Sequence, residues 1–276
     1  MSIAQQRIGI FTKIVRAHYR SHGRDLPWRK TRDPYRILVS EIMLQQTQVE
    51  RVEKFYSPFL RRFPDLRALA KAPLADILQR WQGLGYNRRA LYLKRAAAEI
   101  VTRHGSAVPR DQSVLAQLPG IGTSTAGAIA AFAFNTPVPF IETNIRRVYL
   151  HFFFPRRRAV PDAALLSLIA QTLNRKNPRE WYYALMDYGA MLGAARKGAK
   201  NPNRRSKHYT RQSKFAGSDR EIRGRIIALA LKEKHLDETA LSAKLHTDTK
   251  RIKNIVAALL CEGLIKKESR GLTIAS

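Results

Sequence analysis

Two carboxyl groups stand in surroundings that would give them different chemical roles. Glu41 lies in Val39-Ser40-Glu41-Ile42-Met43-Leu44-Gln45-Gln46-Thr47-Gln48. Pro34 suits the first turn of a helix there, and the residues one turn away from Glu41 are Ile37, Leu38 and Leu44. A carboxyl on that apolar stripe is costly to ionise, so its pKa is expected to rise. A carboxyl that stays protonated near neutrality can serve as a general acid. The same pattern also describes a Glu held in a salt bridge to Arg29 or Arg36. Glu142 lies in Phe140-Ile141-Glu142-Thr143-Asn144-Ile145-Arg146-Arg147-Val148. Thr143 or Asn144 is the expected cap of the following helix, so Glu142 would sit just before a helix N-terminus, where the dipole favours an anion. Its pKa is expected to stay low; a plain capping role is the alternative. An acid and an anion with separated pKa values suit cleavage of a glycosidic bond through an oxocarbenium-like sugar.

A third pattern points to a polyanion. In Leu118-Pro119-Gly120-Ile121-Gly122-Thr123-Ser124-Thr125-Ala126-Gly127-Ala128-Ile129, the glycines permit a tight turn, and Thr123 or Ser124 is the expected cap of a helix rich in small residues. Backbone N–H groups at such a helix start can hold a phosphate without reading sequence. This is the helix-hairpin-helix pattern, although any Gly-x-Gly before a helix can be a purely structural turn. The charge agrees: 50 Lys and Arg against 21 Asp and Glu give +29. Self-repulsion of that size disfavours the compact state, and DNA or RNA is the partner that would offset it. Membrane surfaces and heparin-like polymers are weaker candidates, because no strongly basic amphipathic helix stands out. A glycosidic bond inside a duplex is out of reach, so a target base would have to be extruded. Gln46 and Tyr86 are candidates to fill the gap, though Tyr86 is equally readable as a packing aromatic.

The elements that must position these residues are mostly helical. Apolar residues recur at helical spacing in Ile8–His18, Tyr35–Gln48, Val52–Phe63, Leu74–Leu84, Arg89–His104 and Leu165–Leu173, separated by Pro and Gly. An all-α domain is expected over residues 1–198 and a basic linker over 199–217. Arg196–Lys214 is rich in Lys and Arg and holds no acidic residue, which reads as a solvated linker that can also ride on phosphates. Residues 218–276 read as a winged-helix-like unit: helices over Asp219–Lys232 and Asp237–Leu245, a third capped by Thr247 and running to Cys261, then strands Leu264–Lys267 and Leu272–Ala275. Lys250, Arg251 and Lys253 on the third helix would face a major groove, or the unit is only a packing module. Cys261, the single cysteine, reads as a core thiol. One cysteine builds neither a disulfide framework nor an all-cysteine metal cluster. With no apolar run long enough to span a bilayer and no signal-peptide pattern, an intracellular protein of the cytoplasm or nucleoid is expected.

At these motifs the chain resembles the helix-hairpin-helix-GPD superfamily of DNA glycosylases, and within it the adenine-removing MutY group. The resemblance runs from about Asp25 to Met191. It is carried by Leu26-Pro27-Trp28-Arg29, Asp33-Pro34-Tyr35, Ser40–Gln48, Trp81-Gln82-Gly83-Leu84-Gly85-Tyr86, the Leu118–Ile129 hairpin, Asn144–Val148 and Ala184–Met191. It implies a mainly α glycosylase domain of two helical lobes, with Glu41 protonating the departing base and Asn144 in the active site. Arg29, Gln46, Thr47 and Tyr86 match residues that line the pocket or wedge the duplex. Gln45, Arg88, Gly120, Gly122, Thr123 and Ser124 complete the expected DNA-contacting set. Ser124 stands where bifunctional relatives carry a Schiff-base Lys, so a monofunctional enzyme without strong lyase activity is implied. Three departures are visible. Glu142 stands in place of the family's Asp, and its extra methylene shifts the carboxylate by about an ångström. The four cysteines that bind a 4Fe–4S cluster are absent, since Leu192–Lys200 holds none; no cofactor is expected, with a monovalent cation at the hairpin the only candidate ion. The domain that inspects 8-oxoguanine is replaced by the winged-helix-like unit. The aromatics of His151–Phe154 and Trp181–Tyr183 read as core rather than base-stacking surface. The expected enzyme is a monomer that removes a mispaired or damaged base from duplex DNA, adenine first. Uracil or thymine opposite guanine is the alternative base, and a non-catalytic DNA-binding protein is the alternative class.

Overall fold

The computed structural model describes residues 3–194, 201–210, 214–233, 236–269 and 271–275. In chain order the helices are α1 (Ile3–His22), α2 (Pro34–Leu44), α3 (Val49–Arg62), α4 (Leu66–Lys71), α5 (Leu74–Trp81), α6 (Arg88–Arg103), α7 (Gln112–Leu115), α8 (Thr123–Phe134), α9 (Thr143–Phe153), α10 (Asp162–Thr172), α11 (Pro178–Ala194), α12 (Asp219–Ala230), α13 (Glu238–Leu245) and α14 (Thr249–Glu262). Strands β1 (Ile265–Glu268) and β2 (Gly271–Ile274) follow. The mainly α class read from the sequence is the class observed. Two compact units are formed: Met1–Ile37 with Arg110–Gln117 and Ile121–Arg211, and Leu38–Pro109 with Leu118–Gly120 and Gln212–Ser276. The division falls within α2 and again within the glycine turn.

The first unit is built on aromatic packing. α9 and α11 pack together, and α1 lies against α11. The Phe11 ring of α1 meets Phe152 and Phe153 of α9 edge-on at 5.1 Å, and Trp181 of α11 at 5.7 Å. Edge-to-face rings add to the stabilisation that burial alone provides. Trp181, Tyr182 and Tyr183 are buried, so they are core, as the sequence implied. Phe152, Phe153 and Phe154 pack half-buried against the same cluster. α11 was not identified from periodicity. Its residues are apolar on several faces because α1, α8 and α9 all cover it, and no single stripe results. Asp187 of α11 is 3% exposed. It accepts from Arg24 Nε at 2.6 Å and from Arg29 Nη1 and Nη2 at 2.8 and 2.7 Å. Burial pushes the Asp187 pKa up, but Arg29 and Arg24 outweigh it and hold the carboxyl below its ordinary value.

Part of the expected solvated linker, residues 201–206, is packed, while residues 207–210 and 214–217 are exposed. Pro202–Arg205 form a 3-10 turn, with Pro202 and Asn203 buried. Asn203 Nδ2 donates to Thr143 O at 3.1 Å, and Arg205 Nη1 donates to Leu150 O and Phe154 O at 3.2 and 2.9 Å. Polar residues were mistaken for solvent-facing ones because their partners are backbone carbonyls of α9. Residues 195–200 and 211–213 of that stretch lie outside the described residues.

In the second unit α4 and α5 pack on α6, and α3 packs on α5. Its core includes Val52, Phe59, Trp81, Leu93 and Ile100. Towards the C-terminus, α12, α13 and α14 pack on one another and on an antiparallel hairpin pairing Ile265 with Ile274 and Glu268 with Gly271. This is the expected set of three helices and a wing. Three local expectations differ. Asp248, not Thr247, caps α14 by accepting from Arg251 N. Gly122, not Thr123 or Ser124, is the cap residue of α8. Cys261 is exposed, because the buried stripe of α14 is Ile252, Ile255, Val256 and Leu259.

Candidate functional site

In the first unit the chemistry gathers at the start of α9. Glu142 is itself the cap: its Oε1 accepts from Ile145 N at 2.6 Å, and its Oε2 accepts from Asn144 Nδ2 at 3.3 Å. Thr143 and Asn144, the expected caps, are the first residues inside the helix. Asn144 Oδ1 accepts from Arg147 Nη1 at 2.8 Å, and the same nitrogen donates to Gly189 O at 2.5 Å. Gly189 has no room for a side chain, since a Cβ there would overlap the Asn144 backbone carbonyl of α9. Ser124 Oγ donates to Ile141 O at 2.7 Å, which ties the α8 start to the residue before Glu142. The expected low pKa of Glu142 is not found. Burial pushes it up; the N–H groups of Asn144 and Ile145 and the charges of Arg147 and Arg146 pull the other way without prevailing. The helix-dipole argument captured the second effect and missed the first.

In the second unit Glu41 is half-buried on α2, between buried Ser40 and Ile42. The turn that follows presents Gln45, Gln46 and Thr47. Gln46 sits at φ 56° and Tyr86 at φ 49°, both in the left-handed region. Such residues are uncommon outside glycine and often mark functional turns. Gln45 Nε2 donates to Gly120 O at 3.2 Å, so this part of the glycine turn and the Gln45 turn are joined. Gly120 itself has φ 76°, and a Cβ there would lie 2.7 Å from Tyr92 Cβ. Gly122 is exposed, and α8 starts without a side-chain cap. Arg88 is exposed, with its guanidinium 5.4 Å from the Tyr92 ring and 3.8 Å from Glu262.

Arg29 departs from its expected role. Its side chain is 8% exposed and its guanidinium is taken up by Asp187, with the Tyr183 ring 4.4 Å away. It braces α11 and is not an open DNA-facing cation in this structure. Arg36 pairs with Asp33 at 3.4 Å.

Two residues that organise these sites were missed. Arg89 is 8% exposed. Its Nη1 donates to Ile42 O, Met43 O and Gln45 O at 2.9, 2.8 and 2.5 Å. Its Nη2 donates to Thr47 Oγ1, Leu84 O and Gly85 O at 2.9, 3.1 and 3.0 Å. It therefore satisfies carbonyls at the C-terminal end of α2 and fixes both positive-φ turns. Burial lowers its pKa to about 10, and it stays charged at neutral pH. The signal was present: Arg89, Leu93, Ala96 and Ile100 share one stripe, and an arginine on an apolar stripe needs acceptors. Arg147 was quoted in a motif but not singled out. A cavity of about 340 Å³ in the first unit, lined by Arg32, Phe134, Asn135, Lys176 and Arg179 among others, contains none of the expected site residues.

The helical fold with a glycine turn feeding α8, a carboxyl capping the start of α9 and a carboxyl on α2 defines a class. Residues 39–169 match the model of the HhH-GPD superfamily base excision DNA repair proteins, and the chain belongs to that superfamily. The adenine DNA glycosylase of Mycobacterium tuberculosis is 35% identical over 94% of this chain and 91% of its own length. That of Mycolicibacterium smegmatis is 34% identical over 90% of each chain. Among solved structures, a thermostable thymine-DNA glycosylase superposes with a TM-score of 0.64 at 28% identity, covering 71% of this chain and 92% of that one. An endonuclease III–DNA complex, at 21% identity and a TM-score of 0.55, shares the fold.

Proposed function

We propose that this protein is a monofunctional DNA glycosylase that removes adenine from mispaired duplex DNA and leaves an abasic site. Support comes first from the start of α9, where Glu142, Asn144 and Arg147 form one hydrogen-bonded group. Such a group holds an anion with little reorganisation when a cationic sugar develops beside it. Glu41 donates a proton to the leaving base, whose departure then leaves no strong anion in the product. Glu142 stabilises the oxocarbenium-like sugar until water adds to its anomeric carbon and returns a proton to a carboxylate, and Asn144 fixes the direction of the Glu142 carboxylate. Each role is argued from the carboxyl's own unit. Ser124 offers a hydroxyl where a lyase needs an amine, so abasic DNA is released uncut.

Adenine is chosen because a purine ring nitrogen accepts the Glu41 proton and because relatives matched along nearly the whole chain carry that name. Thymine or uracil opposite guanine is the second reading, favoured by the thymine-DNA glycosylase likeness. The 4Fe–4S cluster that the family resemblance implies does not fit the residues present: the chain has one thiol, Cys261, exposed on α14. Among the described residues no group of three or more His, Cys, Asp or Glu is placed to hold a metal ion, and no helix is long and apolar enough to cross a membrane.

The test is strand cleavage of end-labelled duplexes carrying A:8-oxoguanine, A:G, U:G, T:G or hypoxanthine. The adenine duplexes should break only after alkali. Breakage confined to T:G and U:G moves the substrate to the second reading. Tight binding of every duplex with no base released defeats the enzyme and leaves a DNA-binding protein.

A further inference from the structure

Tyr86 is held from two sides by arginines of its own unit. On one side the Arg89 guanidinium lies 5.5 Å from its ring and accepts no freedom from the turn, since it also binds Gly85 O. On the other side, far along the chain, Arg220 Nη1 donates to the Tyr86 hydroxyl at 2.9 Å. The Arg220 guanidinium is 5.9 Å from the Tyr86 ring and 5.9 Å from the Phe215 ring. Phe215 is 61% exposed, more than any other large hydrophobic residue described. The turn that carries it is ordered: Ser218 N and Oγ donate to Phe215 O at 3.0 and 2.6 Å, and Gly217 N donates to Glu221 Oε2 at 2.7 Å. Glu262 of α14 binds Arg223 at 2.5 Å and faces Arg88 at 3.8 Å, which fixes α12 beside the start of α6. An exposed aromatic ring beside an arginine is suited to a nucleotide, whose base offers a π-face to stack and whose phosphate the cation neutralises.

We propose that Arg220 is a positioning residue for Tyr86, and that Phe215, Arg220 and Tyr86 form one surface that engages the unpaired base left in the duplex opposite an extruded nucleotide, with Phe215 stacking on it. The winged-helix-like unit then takes part in lesion recognition through the turn before its first helix rather than through α14. Arg251 of α14 is tied instead to Asp219 and to Gly217 O. This rests on the reading of the protein as one that extrudes a base.

The full-length protein is titrated onto a duplex with a tetrahydrofuran abasic analogue opposite 2-aminopurine, and onto the fully paired duplex, following anisotropy and 2-aminopurine emission. Arg220→Ala and Phe215→Ala should each weaken binding to the abasic duplex about tenfold, the size expected for one charge-assisted hydrogen bond or one stacked base. Binding to the paired duplex and the thermal midpoint should stay at the wild-type values. Arg220→Lys should recover most of the loss. Tyr86→Phe combined with Arg220→Ala should be no weaker than the weaker single variant, because both remove the same bond. The emission change should vanish in Phe215→Ala. Additive losses in the double variant, equal losses on the paired duplex, or a wild-type protein with no preference for the abasic duplex overturn the proposal. If this pattern is seen but no base is released from any mismatch, the glycosylase reading fails and the recognition surface stands.

Discussion

Replacing Arg89 by Met is the sharpest test of how the lesion-side turns are built. The change keeps the length and apolar stem of the side chain and removes every donor. Two nitrogens, with four N–H groups between them, serve six acceptors on α2, the Gln45–Thr47 turn and the Leu84–Gly85 turn. A hydrogen bond from a charged donor is worth about 1.5 kcal/mol at the low end, so four contribute about 6 kcal/mol. Opposing this is the cost of burying the cation, read from the fall of its pKa to about 10 and worth roughly 3 kcal/mol. The net expected loss is about 3 kcal/mol, measured by urea denaturation. Gln46 and Tyr86 hold positive φ on the turns that Arg89 ties down, so single-turnover base release should fall by about a hundredfold even where the variant is fully folded, as expected for a shift of about 1 Å in positioned groups. Arg88→Ala, one residue away but exposed, should change stability by no more than about 0.5 kcal/mol. An Arg89→Met protein within about 0.5 kcal/mol of the wild type would refute the reasoning, since the acceptors would then have found water at no cost.

Glu142→Gln should abolish base release while leaving the fold at least as stable at pH 7. A Gln oxygen can still accept from Ile145 N, and burial of a charge is removed. A charge pair about 4 Å apart at an effective dielectric of about 20 is worth about 4 kcal/mol, or roughly a thousandfold in rate. Because the Glu142 pKa is raised in the folded protein, its ionisation disfavours the fold as pH rises through that value, and the acid limb of the rate profile should lie above the ordinary glutamate range; denaturation and single-turnover rates against pH check both. Gly189→Ala should cost about 1–3 kcal/mol by forcing α11 away from the Asn144 carbonyl, with a larger effect on the rate than on DNA affinity. Asp187→Asn should lose about 3 kcal/mol at neutral pH. Since the folded pKa of Asp187 is depressed, its contribution is present above the ordinary Asp value and lost as pH falls through the folded value, so the variant should lack that part of the acid-side decline in stability.

What the sequence made legible was whatever repeats at a fixed spacing or must be glycine. The apolar stripes located the cores of α2, α3, α5 and α6, and the turn at Gly120 demanded a residue without a Cβ. The C-terminal helices and hairpin fell within a few residues of their expected ends because apolar stripes and Gly263 mark them. What stayed hidden depended on partners remote in the chain. Asp187 reads as one acid in an apolar run, and nothing nearby says that Arg24 and Arg29 cover it. Glu142 was read correctly as lying at a helix start but wrongly as electrostatically easy, because the cost of burying its carboxyl outweighs the N–H groups and cations beside it. Arg29 was assigned by motif to the DNA side when its acceptors face inward. Within the expected linker, the packing of Asn203 and Arg205 stayed hidden for the same reason, since they bind carbonyls of α9.

These cases share a use of charge that changes the meaning of the +29 total. Arg89 satisfies the end of α2, Arg205 donates to Leu150 and Phe154 carbonyls at the end of α9, Arg147 donates to Gly189 O, and Arg179 donates to Arg29 O and Thr31 O. Helix C-termini carry partial negative charge and unpaired carbonyls, and a planar cation with five donors answers both at once. Part of the basic excess is therefore internal scaffolding, placed where a lysine's single ammonium could not span the acceptors. The same arginines hold the two positive-φ turns and the α9 start. Arg89 and Arg147 thus add to the basic total while giving Glu142, Gln46 and Tyr86 their fixed geometry.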